Sequence, residues 1–176
     1  MAKVIFTDRP TAEELIGRYN KPLYWHIRRM VVSHDDAEDV LQETFIQIFK
    51  HLADLNDLSQ ERAWVYRIAT NEALQWLRSR HEFVSLDAED ADTSPLINTL
   101  MADTYTDTGD ALVLLFQEAI LTLPTMQRTV FNLRYYDELP YEEIAAVTGS
   151  SVGAAKTNYH FAKEKISKYV TAKMAQ

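Results

Sequence analysis

The architecture is decided by residues 141–166, whose sequence is YEEIAAVTGSSVGAAKTNYHFAKEKI. The first part predicts a short helix that ends at Gly149, because glycine adopts the left-handed conformation of a helix end without strain. A second, longer helix begins after Ser150 or Ser151, either of which can serve as its N-cap. Two helices joined by a tight glycine-containing turn are typical of a helix-turn-helix.

The second helix of this pair has a face that suits DNA. Its predicted buried stripe consists of Val152, Ala155, Tyr159, Ala162 and Ile166, which recur at helical spacing. Small residues in the first turn let the backbone approach DNA closely, and the N-terminal amides can meet a phosphate. The candidate DNA contacts are Ser151, Gly153, Ala154, Lys156, Thr157, His160, Phe161 and Lys163. The alternative is a purely structural hairpin, since helix-turn-helix geometry also occurs without DNA.

The residues before Glu82 predict a helical module of their own. Thr11 and Glu14 form a capping-box pattern at the start of the first helix, which Pro22 bends or divides. Residues 33–36 form a polar break before a second helix. That helix carries Val40, Leu41, Phe45, Ile48, Phe49 and Leu52 at helical spacing. A loop at 53–60 leads into a third helix from about Ser59 to His81.

The charge of the chain is concentrated between Glu82 and Asp110. This stretch holds eight acids and no Lys or Arg, and those eight acids equal the whole formal net charge of −8. It is rich in Thr, Asp and Ser and has no sustained helical period, so it predicts a flexible linker. From Thr148 onward, by contrast, five lysines face one acid, Glu164. The negative net charge of the whole chain is therefore compatible with a nucleic-acid partner.

The predicted fold class is all-α, with two small helical domains joined by an acidic flexible linker. The domains are residues 1–81 and 111–176, and the linker is residues 82–110. The second domain opens with an apolar helix from Ala111, and Pro124 suits the start of the next helix. The helix-turn-helix completes this domain.

Several classes of function are disfavoured by what the sequence lacks. The chain has no cysteine, which removes disulfides and thiolate metal sites. It has no apolar run long enough for a membrane span, so a cytoplasmic protein without membrane insertion is expected. No catalytic constellation or phosphate-binding glycine loop is recognisable, and we expect no enzyme activity, cofactor or metal. A metal site at His34, Asp35, Asp36 and Asp39 is an alternative whose spacing matches no established motif.

Three segments resemble, in order, those of the bacterial sigma factors. DAEDVLQETFIQIFK (36–50) resembles their polymerase-binding helix, and WVYRIATNEALQWLRSR (64–80) resembles their promoter-melting helix. Residues 123–166 resemble their C-terminal DNA-binding domain. The order, the spacing and the total length are similar to those of the small extracytoplasmic-function (ECF) type of the sigma-70 family.

The resemblance implies a transcription initiation factor that directs core RNA polymerase to promoters through −10 and −35 elements and promotes strand opening. The implied partners are the β′ clamp helices and β flap of the core polymerase, promoter DNA, and an anti-sigma factor. The implied polymerase-binding residues are Asp36, Glu38, Asp39, Gln42, Glu43, Phe45, Ile46 and Phe49. The implied −10 contacts are Arg62, Tyr66, Arg67, Asn71 and Arg78. The helix-turn-helix contacts given above would read the −35 element. A conventional helix-turn-helix regulator that acts without polymerase is the competing interpretation.

The chain also departs from the family pattern. Its recognition helix lacks two arginines of the common pattern, which predicts weaker phosphate anchoring and an unusual −35 sequence. The loop at 53–60 lacks the aromatic residue often found there. In the family, the linker runs through the basic nucleic-acid channels of the polymerase, and an acidic linker is expected to occupy them as a nucleic-acid mimic. The alternative is a solvated spacer that serves only as a tether.

Overall fold

The computed structural model describes residues 9–84, 94–103 and 110–176, and this part of the chain is helical without any strand. Two short 3-10 turns, Leu52–Asp54 and Leu58–Gln60, join the second and third helices. The helices are α1 (Ala12–Val31), α2 (His34–His51), α3 (Glu61–Val84), α4 (Ser94–Asp103), α5 (Ala111–Leu121), α6 (Thr125–Tyr135), α7 (Tyr141–Thr148) and α8 (Val152–Met174). The predicted all-α class is confirmed.

Local capping signals fix the helix ends where the sequence predicted them. Thr11 and Glu14 form the complete capping box of α1. Gly149 ends α7 in the left-handed conformation, with φ of 65°, and Ser151 caps α8 by accepting a hydrogen bond from the Ala154 amide at 3.0 Å. The turn between α7 and α8 is therefore as short as a helix-turn-helix requires.

Three details differ from the sequence-based expectation. Pro22 lies inside α1 and does not divide it, because the hydrophobic face of this helix continues on both sides of the proline and is buried. The prediction of a polar break over 33–36 is wrong, because Ser33 caps α2 and the helix already begins at His34. A helix, α4, occupies Ser94–Asp103 within the stretch that has no sustained helical period. The acidic residues of 85–93 and Asp107 lie outside the described residues.

The two predicted modules pack against each other around one core. The larger hydrophobic cluster joins residues of α1, α2 and α3 to residues of α6, α7 and α8, among them Leu133, Ile144 and Val147. The principal contact between the modules is that of α3 with α7, and α1 also contacts α6. A second cluster lies within the C-terminal module between α5, α6 and α8. The fold therefore places the helix-turn-helix beside the third helix of the first module.

None of the helices in the described ranges is long and apolar enough to cross a membrane.

Candidate polymerase and nucleic-acid interfaces

Helix α2 presents an acidic face next to exposed apolar side chains. Glu38, Asp39, Gln42 and Glu43 are exposed, and Ile46 and Phe49 remain 47% and 71% exposed. Asp36 is half-buried and lies 3.6 Å from Arg80 of α3, whereas Phe45 packs against the core. Val40 and Ile48 lie on the opposite, buried side of the same helix, so the acidic face points to solvent. An acidic face with protruding apolar groups suits a basic protein partner.

Helix α3 carries a row of polar side chains open to solvent. Arg67, Asn71 and Arg78 are exposed and are spaced by four and seven residues, so they lie on one side of the helix. Trp64 and Trp76 pack against the core, and Arg80 stacks on the Trp76 ring with its guanidinium 4.8 Å from the ring centroid. Guanidinium and amide groups on a rigid helix can hold the backbone and base edges of a separated DNA strand.

Two other predicted −10 residues lie on a different side of α3 and face the C-terminal module. Arg62 makes a bidentate ion pair with Glu143 of α7, with Nε–Oε2 and Nη2–Oε1 distances of 2.8 and 2.9 Å. Tyr66 is 4% exposed, and its hydroxyl donates to Asp137 at 3.4 Å. Burial raises the pKa of this hydroxyl and the neighbouring carboxylate raises it further, so it stays protonated. The structure thus separates Arg62 and Tyr66 from Arg67, Asn71 and Arg78.

Helix α8 exposes most of the side chains predicted to contact DNA. Ser151, Gly153, Lys156, Thr157, His160, Phe161 and Lys163 are exposed, and Ala154 is half-buried. The predicted stripe is buried at Ala155, Ala162 and Ile166 and half-buried at Val152 and Tyr159. The ammonium groups of Lys156 and Lys163 lie 5.8 and 4.9 Å from the rings of Tyr141 and Tyr159. Each ammonium group is thus positioned by an aromatic ring, and no carboxylate takes part in these two contacts. Cations held in this way suit phosphate binding.

Sequence reasoning missed the polar contact between the modules. Asp137, in the turn after α6, is bonded to His26, Arg29 and Tyr66, and its side chain is 5% exposed. We call the set His26, Arg29, Arg62 and Tyr66 with Asp137 and Glu143 the interdomain contact. These pairs are 71 to 111 residues apart in the sequence. No local pattern signals such a pairing.

A cavity of about 230 Å³ lies between the modules next to this contact. Its walls include Trp25 and Arg28 of α1, Ile120 of α5, and Asn132 and Tyr136 at the end of α6. The Asn132 side chain is fully buried, and neither of its amide atoms has a hydrogen-bond partner. The packing between the modules is therefore less complete here than in the cluster around Leu133.

The alternative metal site is not supported. Among the described residues no group of three or more His, Cys, Asp or Glu side chains is arranged to hold a metal ion. His34 instead bonds the Tyr24 hydroxyl through Nδ1 at 2.6 Å, and its Nε2 lies 3.7 Å from Glu38. These groups act as ordinary surface partners within and beside α2.

Comparison with known proteins identifies the two modules separately. Residues 15–82 match the family described as Sigma-70 region 2, and residues 114–166 match Sigma-70, region 4. The ECF RNA polymerase sigma factor SigW of Bacillus subtilis (strain 168) is 33% identical over 168 residues, which cover 92% of this chain and 89% of SigW. RNA polymerase sigma factor YlaC of the same organism is 27% identical, and the match covers 93% of this chain and 94% of YlaC.

Two solved structures share the fold. The sigma factor RpoE from Bartonella quintana, in complex with the anti-sigma factor NepR, aligns with a TM-score of 0.70 and 20% identity over 90% of this chain and 96% of RpoE. CnrH, in complex with the cytosolic domain of CnrY, aligns with a TM-score of 0.64 and 23% identity over 92% of this chain and 88% of CnrH. With both regions present in order and a relative that matches nearly end to end, the chain belongs to the ECF sigma factors of the sigma-70 family.

Proposed function

We propose that this chain is a transcription initiation factor that binds core RNA polymerase, directs it to promoters and promotes strand opening. The observation that carries the proposal is the presence of sigma-70 regions 2 and 4 in one chain, each with an exposed face of the chemistry its task requires. Residues 1–81 would bind the polymerase and the −10 element, residues 111–176 would bind the −35 element, and residues 82–110 would connect them. Synthesis itself remains with the polymerase, so the factor contributes binding and no catalytic group.

In this proposal α2 docks on the β′ clamp helices, while Arg67, Asn71 and Arg78 hold the opened −10 strand. Helix α8 enters the major groove of the −35 element, with Ser151 and Gly153 at its N-terminal end. The β flap and an anti-sigma factor are further protein partners, and a cytoplasmic location goes with these roles. The direct test is run-off transcription from a genomic DNA library with purified core polymerase, with and without this protein. Transcripts that start at a shared promoter motif only when the factor is present are the expected result.

We expect the double charge reversal Asp39→Lys with Glu43→Lys to weaken the complex with core polymerase at least tenfold. Both side chains are exposed on α2, so the change replaces attraction to a basic partner by repulsion while the core stays intact. The measurement is the Kd of the labelled factor for core polymerase at two salt concentrations. The matched control is Glu13→Lys with Glu142→Lys, which changes the charge equally on exposed residues outside α2. Equal binding by both folded variants would reject the α2 surface.

We expect Lys156→Ala to weaken −35 binding and to reduce its dependence on salt, because a phosphate contact releases a counterion. Thr157→Ala and His160→Ala are expected instead to change the preferred sequence, since a good base contact contributes about 1–3 kcal/mol of discrimination. The measurement is holoenzyme binding to a randomised −35 library, followed by a salt titration. Lys173→Ala, near the far end of the same helix, is the matched control. Promoter selection that none of the three substitutions alters would exclude α8 as the recognition helix.

A further inference from the structure

The cavity of about 230 Å³ between the modules is lined by apolar side chains, two arginines and two carboxamides. We propose that it binds a small carboxylic acid that has one apolar ring or branched chain and a second group able to donate a hydrogen bond. The proposal goes beyond the proposed function and does not depend on it. It rests on the size of the cavity, on its walls, and on buried polar atoms there that lack partners.

The volume of the cavity suits a compact ligand. A cavity of about 150 Å³ already accommodates benzene, so 230 Å³ is enough for one ring with short substituents. A drug-sized molecule usually occupies a pocket of at least about 300 Å³. The ligand is therefore limited to a molecule of about one ring.

Apolar side chains from three parts of the chain line the cavity. Trp25 and Val32 lie in α1 and directly after it, Leu100 comes from α4, and Ile120 and Leu121 come from α5. Val32, Ile120 and Leu121 are buried, and Trp25, at 47% exposed, is the least enclosed of the five. Such walls favour contact with an apolar body over contact with water.

Two carboxamides of the C-terminal module carry atoms that have no hydrogen-bond partner within the described part of the chain. The atoms are Oε1 of Gln117 on α5 and both Oδ1 and Nδ2 of Asn132 on α6. All three atoms are buried, and Asn132 is fully buried as a residue. Nearly all buried polar atoms in folded proteins are bonded, because an unpaired one has lost its hydration without compensation. A hydroxyl or N–H group of a ligand would satisfy either of the two acceptors.

Two adjacent arginines line the cavity from the first module. Arg28 and Arg29 are half-buried in the last turn of α1. The ring of Tyr136 orients the Arg29 guanidinium, whose carbon lies 4.3 Å from the ring centroid. Among the described residues Asp137 accepts from Nη1 of Arg29, at 3.4 Å, so the other N–H groups of this guanidinium can donate to a carboxylate. The arginines and the carboxamides belong to different modules, so an acid whose donor group lies far from its carboxylate contacts both.

The test uses the full chain and three related compounds. 4-Hydroxyphenylacetate has the ring, the carboxylate and the donor, whereas phenylacetate lacks the hydroxyl and 4-hydroxyphenylacetamide lacks the charge. For a ligand of roughly eleven non-hydrogen atoms, we expect a Kd of about 0.1–5 mM for 4-hydroxyphenylacetate by calorimetry. The other two compounds should each bind at least threefold more weakly.

Substitutions locate the binding site. Leu100→Phe narrows the cavity from α4 and should weaken binding of 4-hydroxyphenylacetate at least fivefold. Its matched control is Met101→Phe, at the exposed neighbouring position outside the lining, which should bind as the wild type does. Asn132→Leu with Gln117→Met replaces both carboxamides by apolar groups of similar shape. In this double variant 4-hydroxyphenylacetate and phenylacetate should have affinities within twofold of each other, and Leu100→Phe decides alone if the double variant does not fold.

A spectroscopic signal reports the position of the bound compound. The indole N–H resonance of Trp25, assigned by its loss in Trp25→Phe, should shift as 4-hydroxyphenylacetate saturates the chain. A cavity that holds only water gives no saturable binding, and that result overturns the proposal. Equal affinities of the wild type for the three compounds, or equal binding by Leu100→Phe and Met101→Phe, overturn it as well. None of these measurements uses transcription, so their outcome is separate from that of the proposed function.

Discussion

Replacing Leu133 with alanine is expected to lower the free energy of unfolding of both modules together by about 2–5 kcal/mol. Leu133 lies in α6 of the C-terminal module, is fully buried, and belongs to the cluster that joins the two modules. The three tryptophans, Trp25, Trp64 and Trp76, all lie in the first module. Trp25 lines the cavity between the modules, so in a Trp25→Phe background the fluorescence of Trp64 and Trp76 of α3 during urea unfolding reports on region 2. A mutation in region 4 that lowers this midpoint demonstrates one cooperative unit.

The comparison is with Leu133→Ile, which conserves volume and is expected to cost less than about 1.5 kcal/mol. Far-UV circular dichroism reports on helices of both modules and should give the same midpoint as tryptophan fluorescence in each variant. The opposite result for Leu133→Ala is an unchanged midpoint by tryptophan fluorescence together with a separate circular dichroism transition at a lower urea concentration. In that case the modules unfold independently and the shared core contributes little.

Removing the exposed polar side chains Arg67, Asn71 and Arg78 of α3 is expected to have the largest effect on function. In the triple variant Arg67→Ala, Asn71→Ala, Arg78→Ala, each lost contact is worth about 1–3 kcal/mol, so open complexes should fall by roughly 100-fold or more. The side chains are exposed and make no part of the core, so folding should be retained. Permanganate reactivity of unpaired thymines near the start site measures the open complex directly.

A control with the same loss of positive charge is Arg9→Ala with Lys21→Ala, at exposed positions outside α3. It separates the loss of specific contacts from a general loss of attraction to DNA. The core-binding Kd should be equal in the triple variant, the control and the wild type, because α2 is unchanged. Wild-type melting by the triple variant would assign strand retention to a different face, for which the side of α3 with Arg62 and Tyr66 is the next candidate.

Local chemistry made much of the fold predictable. The Thr11 and Glu14 capping box, the left-handed Gly149 and the Ser151 cap each act within a few residues, so their sequence patterns are specific. Pro22 shows the limit of a local rule. A proline disfavours a helix interior, but the helix continues where both flanks bury apolar residues such as Leu15 and Leu23.

The arrangement of the two modules could not be predicted from the same patterns. Asp137 lies in a polar turn, where a carboxylate is ordinary, and nothing nearby indicates that His26 is its partner 111 residues away. Arg62 and Tyr66 have the chemistry of DNA-binding residues, and that chemistry is equally suited to a carboxylate in a neighbouring domain. Residue type therefore predicted a set of polar groups on α3. Tertiary packing decided which of them pair with the C-terminal module.

The packing of the two modules also favours some surfaces for the first contact with a partner. The acidic face of α2 and the lysines of α8 are exposed and unobstructed, whereas Tyr66 is buried and Arg62 is half-exposed but paired with Glu143, so the first productive collisions involve the former surfaces. Oppositely charged faces steer such collisions toward different partners, and each of these encounter rates falls as ionic strength rises. Tyr66 differs from these surfaces, because its buried hydroxyl is bonded to Asp137 of the other module and can meet a partner only if that bond breaks.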